Sequence, residues 1–153
     1  MMRYFHLATT VSLFAPLFLS GPVLAFNPLQ VQQLLSTGQC FRCDLSGADL
    51  RSAHLIGADL REANLQGANL SLANLEGADL TNANLAGANL TEAFLTNADM
   101  RKANLDKVNL TRATIYDANV FGASMNDLDI TDADIFNTAI GVGGEEGSIE
   151  GWP

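Results

Sequence analysis

CDLSG-ADLRS-AHLIG-ADLRE-ANLQG-ANLSL, residues 43–72, repeats every five residues, and the pattern runs on to TAIGV at 138–142. Every fifth residue from Leu45 to Ile140 is apolar, twenty in twenty, and thirteen of these are Leu. The others are Met100, Ile115, Val120, Met125, Ile130, Ile135 and Ile140. Apolar residues make up 48% of the chain. Chance then gives such a run with a probability on the order of 10⁻⁷, so the period is real. Two residues before each apolar slot stands Ala in sixteen cases of twenty, the exceptions being Cys43, Val108, Leu128 and Thr138. Asp or Asn lies between them in fifteen, so three of the five positions are chemically specified.

A period of five matches neither the helical 3.6 nor the strand period of 2. If each quintet is a short extended piece plus a turn, four quintets close a square coil of twenty residues. The run then makes about five coils, stacked at the ~4.8 Å strand spacing into a rod roughly 24 Å long. The fold class is an all-β solenoid with its Leu and Ala slots inward and the other three slots in water. Gly47, Gly57, Gly67, Gly77 and Gly87 recur every ten residues, and Asn97 continues them. These are residues for turns with positive φ.

The A-(D/N)-L-x-x run over residues 43–142 resembles the pentapeptide-repeat family. That resemblance implies a right-handed quadrilateral β-helix and no shared enzymatic activity. A leader, a short helix and CFRCDLSGADL in sequence resemble exported pentapeptide-repeat proteins of cyanobacteria and of the thylakoid lumen. The implied location is the periplasm or the thylakoid lumen.

Residues 1–25 read as a secretory signal peptide. Arg3 gives a positive start, Leu7–Leu19 is an apolar core, and Val23-Leu24-Ala25 fits cleavage after Ala25. The apolar stretch is short for a span of roughly 20 residues, so no membrane attachment is expected after cleavage. Residues 26–42 form a cap. Asn27 suits an N-cap, Pro28 the first helical position and Gly38 a left-handed C-terminus. Val31, Leu34 and Leu35 give the helix a narrow apolar stripe, which is expected to cover the open end of the first coil.

Cys40 and Cys43 make a C-x-x-C. In register, Cys40 stands five before Leu45 and Cys43 takes an Ala slot, so both point inward. A structural disulfide pinning the cap, a redox-active dithiol, and free thiols or a metal shared between chains are the three readings. No neighbouring base or βαβ pattern is present to depress a thiol pKa.

Stacking the sequence at twenty residues aligns its columns. Ser71, Thr91, Thr111 and Thr131 stand above Arg51 on the second face, beside Asn69, Asn89 and Asn109; such ladders stabilise stacked strands. Asp59, Asp79 and Asp99 stack on the fourth face, with Arg61 and Arg101 two residues on to offset them. An ice-binding Thr face and a cation site at the Asp column are the sharper alternatives to these structural roles. His54 is an outward histidine without ligand partners at suitable spacing.

Four aromatic residues break the polar exterior. Tyr116 and Phe136 share one column of the third face, Phe94 lies on the same face, and Phe121 is round the corner. An exposed aromatic patch marks a contact surface. Either a partner, a second copy through the C-terminal coils, or the tail is expected to cover it. Residues 143–153, GGEEGSIEGWP, break the period and read as a flexible acidic tail in which Ile149 and Trp152 can dock.

The net charge is −9 and the pI is about 4.4. After cleavage, seventeen acids face seven bases, for −10. Such a surface repels nucleic acid and anionic membranes. No nucleotide-binding loop, zincin, EF-hand or catalytic triad is legible. The expected function is a non-catalytic structural or protein-interaction module without cofactor or metal. The alternative is an acidic DNA mimic that inhibits or protects an enzyme such as gyrase, as some members of the resembled family do.

Overall fold

Residues 26–140 are described by a computed structural model. The proposed leader with its cut after Ala25, the last two residues of the repeat run and the acidic tail lie outside the described residues. The chain begins with a helix, α1 (Pro28–Thr37), and then winds through the repeats. Within these, two short strands stand out, β1 (Thr114–Tyr116) and β2 (Asp134–Phe136).

The coil length is visible in the backbone pairing. Parallel bridges join Asp44 to Asn64, Asn64 to Asn84 and Asn84 to Asn104 on one side, and His54 to Asn74 and Asn74 to Phe94 on another. Each pairing spans twenty residues, four quintets per coil. β1 and β2 continue the rule, with Thr114 opposite Asp134 and Tyr116 opposite Phe136.

One quintet, Ala63–Gly67, shows why the period is five. Asn64 N donates to Cys43 O at 2.8 Å, in the coil before. Leu65 N and Gly67 N donate to Asn84 O and Ala86 O, in the coil after, at 2.7 and 3.0 Å. The next alanine, Ala68, closes a turn back to Leu65 O at 3.0 Å. That leaves one amide, Gln66 N, and the side chain of Asn64 accepts its hydrogen at 3.3 Å. Every backbone donor is satisfied, as buried or half-buried backbone requires.

The same side-chain bond recurs at every Asp or Asn of this slot from Asp44 to Asp129. It is an Asx turn. The slot is therefore a working part of the turn, and many of its residues, Asn64 to Asn84 among them, are half-buried rather than fully in water as the period alone suggests.

The glycine pattern accounts for only some of the turns. Positive φ recurs at every fifth residue from Arg42 to Asn137, including Ser52, Glu62, Leu72, Lys102 and Arg112. Gly67 marks the ordinary solution, with φ 64° and open space around a Cβ. At Leu72, with φ 61°, the ladder holds a branched side chain in a conformation that L-residues resist.

Inward, Leu45 to Leu110 and the alanines between them are buried without polar company. Small Ala lets opposite walls approach, and Leu fills the axis. Burying one Leu contributes roughly 1.5–3 kcal/mol, so the axial column is the chief source of stability. α1 closes the N-terminal end of this column. Asn27 caps it through Leu29 N (3.1 Å), and Gly38, at φ 69°, ends it. Leu34 is buried against the first coil, at 1% exposure, and Val31 packs on the same core. Leu35, expected in the stripe, is 54% exposed. The helix docks through Gln30 and Leu34 instead: Gln30 Oε1 accepts from Asp44 N at 2.7 Å. Asn27 N reaches Asp44 O at 3.2 Å.

Candidate interaction surface

At the N-terminal end, Cys40 and Cys43 are bonded to each other, with Cα atoms 5.2 Å apart. Both sulfurs are buried. The two residues between them, Phe41 and Arg42, point out. The Arg42 and Arg61 guanidinium carbons stand 4.9 and 5.5 Å from the Phe41 ring centre, within cation–π range. Arg42 also bonds Glu62. Sequence reading passed over Phe41, although the twenty-residue register places it directly beneath Arg61.

The acid column of the fourth face is organised by its arginines. Arg61 grips Asp59 through two nitrogens at 2.8 and 2.7 Å, and Arg101 grips Asp99 in the same way. These hydrogen bonds hold both carboxyls below the usual carboxylate range. Asp49 and Arg51 repeat the motif on the second face. Asp79 lies between, 3.8 Å from the Arg61 Nε. The column is thus largely neutralised. Among the described residues, no group of His, Cys, Asp or Glu is placed to hold a metal ion. His54 is exposed and bridges through its backbone to Asn74. On the second face, Thr91 and Thr131 donate their hydroxyls to the Asx residue of their own turn, Asn89 and Asp129.

The third face departs from the rule. His54, Phe94 and Thr114 stand in its Asx slot and give the turn amide no side-chain acceptor among the described residues, while Asn74 keeps the bond. The turns after Ile115 and Ile135 also lack the closing bond, and the chain runs straight enough to make β1 and β2. On these strands the Tyr116 and Phe136 rings meet edge to face, with centres 6.2 Å apart. The Tyr116 hydroxyl donates to Asp134, which raises its pKa above the ordinary phenol value. Phe94 sits on this face in the column of Thr114, and its ring is exposed. Phe121, on the adjoining face, is 77% exposed, and Phe136 is 66% exposed. The four aromatic residues therefore lie on the outside of the C-terminal half, at the far end from the cysteines.

In the last coil the inward slots are less well covered. Met125, Leu128, Ile130 and Ile135 are only partly buried. The ladder has no further coil among the described residues, so the amides of Met125, Asp127, Ile130 and Asp132 have no backbone acceptor there. The loosening was hidden in the sequence, because the apolar period continues unbroken through this coil.

Among the described residues, no helix is long and apolar enough to cross a membrane. The pentapeptide-repeat family model matches in eight copies over residues 43–82 and 78–115. No curated protein matches the sequence. Several solved structures are similar. A pentapeptide repeat protein from the thylakoid lumen of Arabidopsis thaliana is 31% identical, with 77% of this chain and 70% of that chain covered and a TM-score of 0.41. Rfr23, from the cyanobacterium Cyanothece 51142, is 25% identical over 71% of this chain and 98% of its own, with a TM-score of 0.43. QnrB1, a plasmid-mediated fluoroquinolone resistance protein, is 21% identical over 62% of this chain and 61% of its own, with a TM-score of 0.42. Members of the matched family form right-handed quadrilateral β-helices, in keeping with the four-quintet coil. By its repeat, its register and its match to the family model, this chain belongs to the pentapeptide-repeat family.

Proposed function

We propose that the protein is an exported, non-catalytic interaction module of the periplasm or thylakoid lumen, built as a rigid solenoid of about five coils. Its contact surface is the aromatic exterior of the C-terminal coils: Phe94, Tyr116, Phe121 and Phe136. The observation that carries this reading is the Tyr116–Phe136 edge-to-face pair on paired strands, flanked by exposed phenylalanines. Large, rigid aromatic side chains gather binding energy at little entropic expense. Export is supported by the leader-like residues 1–25 and by a buried Cys40–Cys43 bond, which suits an oxidising compartment. The bond acts as a pin between cap and first coil rather than as a redox couple, because both sulfurs are shielded from an incoming thiolate.

Recovery of partners from periplasm or lumen on the tagged mature chain, against a Tyr116→Ser/Phe136→Ser variant, tests the surface. Both residues point outward, so the variant keeps its fold. Loss of the partner supports the assignment, and an unchanged set of partners overturns it. The DNA-mimic reading draws on the net charge, yet Arg61 and Arg101 neutralise the one regular acid column. A gyrase supercoiling assay decides it.

A further inference from the structure

The C-terminal end of the solenoid combines three features that meet nowhere else in the described residues. Among the described residues it is an open parallel edge, with the amides of Met125, Asp127, Ile130 and Asp132 unpaired to backbone there. Beside that edge the core is partly uncovered at Met125, Leu128, Ile130 and Ile135. Around it stand four exposed aspartates, Asp127, Asp129, Asp132 and Asp134, while residues 123–140 contain no Lys, Arg or His. Among the described residues, none of the four is in an ion pair. Arg112, one coil below Asp132, is bonded to Glu92 instead. The N-terminal end differs in every respect: it is closed by α1 and carries Arg42, Arg51 and Arg61.

An open edge next to uncovered apolar side chains is a template for an added strand. Its charge selects the occupant. A second copy joined end to end brings four aspartates against four. The chain's own residues 141–153 contribute Glu145, Glu146 and Glu150, with no base. We propose that the last coil is a docking edge for a basic, apolar-alternating segment of another protein, which winds over that edge as part of a further coil. Its apolar side chains cover Met125, Ile130 and Ile135, and its Lys or Arg residues meet the aspartate ring. This site is separate from the aromatic ladder, although Phe136 borders both.

The test uses the mature chain and a fluorescein-labelled peptide of alternating lysine with valine and isoleucine, read by anisotropy. Two control peptides replace lysine by glutamate, or the apolar residues by serine. Saturable binding of the first peptide alone, weakening as salt rises, is expected. Asp127→Asn/Asp132→Asn should weaken it roughly five-fold, the scale of two exposed charge contacts. Neither carboxylate makes a side-chain hydrogen bond among the described residues, and asparagine keeps the positive φ, so this variant folds. Asp49→Asn/Asp79→Asn removes as much charge elsewhere and should leave binding unchanged. Equal weakening by both variants, or equal binding of the serine peptide, reduces the effect to net charge and overturns the proposal. Absence of binding also overturns it. Trp152 shielded from acrylamide would then identify the tail as the occupant, and a concentration-dependent dimer in sedimentation would identify a second copy.

Discussion

The amide of Thr91 and its hydroxyl both donate to one atom, Oδ1 of Asn89, at 3.0 and 2.6 Å. The amide is the one backbone donor of the quintet that the inter-coil ladder and the closing turn bond of Ala88 leave over. Asn89→Ala therefore strands a half-buried N–H and should destabilise the fold by about 1 kcal/mol. Asn89→Asp, which keeps the acceptor, should change stability much less. Denaturant unfolding of the two variants checks this.

Turn backbone gives a second prediction. Gly67 has open space around it, so Gly67→Ala meets no side chain and is opposed only by its φ of 64°. A loss of about 1 kcal/mol is expected. Leu72→Gly should move the other way, since the exposed Leu72 side chain now sits at φ 61°. Equal and small effects at both positions in thermal unfolding would show that the ladder imposes no strain at Leu72.

These two cases mark what was legible. The inward Leu and Ala columns, the twenty-residue coil, the Asn27 and Gly38 helix ends and the Tyr116–Phe136 column all follow from spacing. The positive φ at Glu62, Leu72 and Lys102 does not, because no local residue announces it. It is imposed by the repeating ladder on whatever side chain is present. Leu35 was misplaced because a short helix offers two adjacent apolar directions, and the docking of Gln30 and Leu34 chooses between them. The bare end of the last coil was also illegible, since Met125, Ile130 and Ile135 read as core by period alone.

Acid should act on the Asp59–Arg61 and Asp99–Arg101 pairs. Hydrogen bonds from the arginines hold both carboxyls below their ordinary range. The stabilisation is present in full above the unfolded value of about 3.9 and is lost as pH falls through the folded values. Stability relative to Asp59→Asn/Asp99→Asn should be constant from neutral pH to about 5 and converge below about 4. The difference at neutral pH should be small, because the arginines of both pairs are exposed to solvent. Thermal melts over pH 3–7 measure it.

The Tyr116 hydroxyl offers a local probe. The chain has two tyrosines, Tyr4 and Tyr116. A chain beginning at Phe26 therefore has Tyr116 alone. Its absorbance titration should lie above the ordinary phenol value, because the hydroxyl donates to Asp134. Asp134→Asn should bring the titration back down. An unchanged midpoint would separate Tyr116 from Asp134 in solution.

On the proposed function, the regular coils carry the fold and the aromatic exterior of the C-terminal coils carries the contact. A photo-cross-linking phenylalanine analogue at position 136, compared with one at position 76, tests it most directly. The two positions share a column of the third face, three coils of twenty residues apart in register. A discrete adduct is expected from position 136 in the compartment where the mature chain resides, and none from position 76. Adducts of equal yield from both, or from position 76 alone, would contradict it.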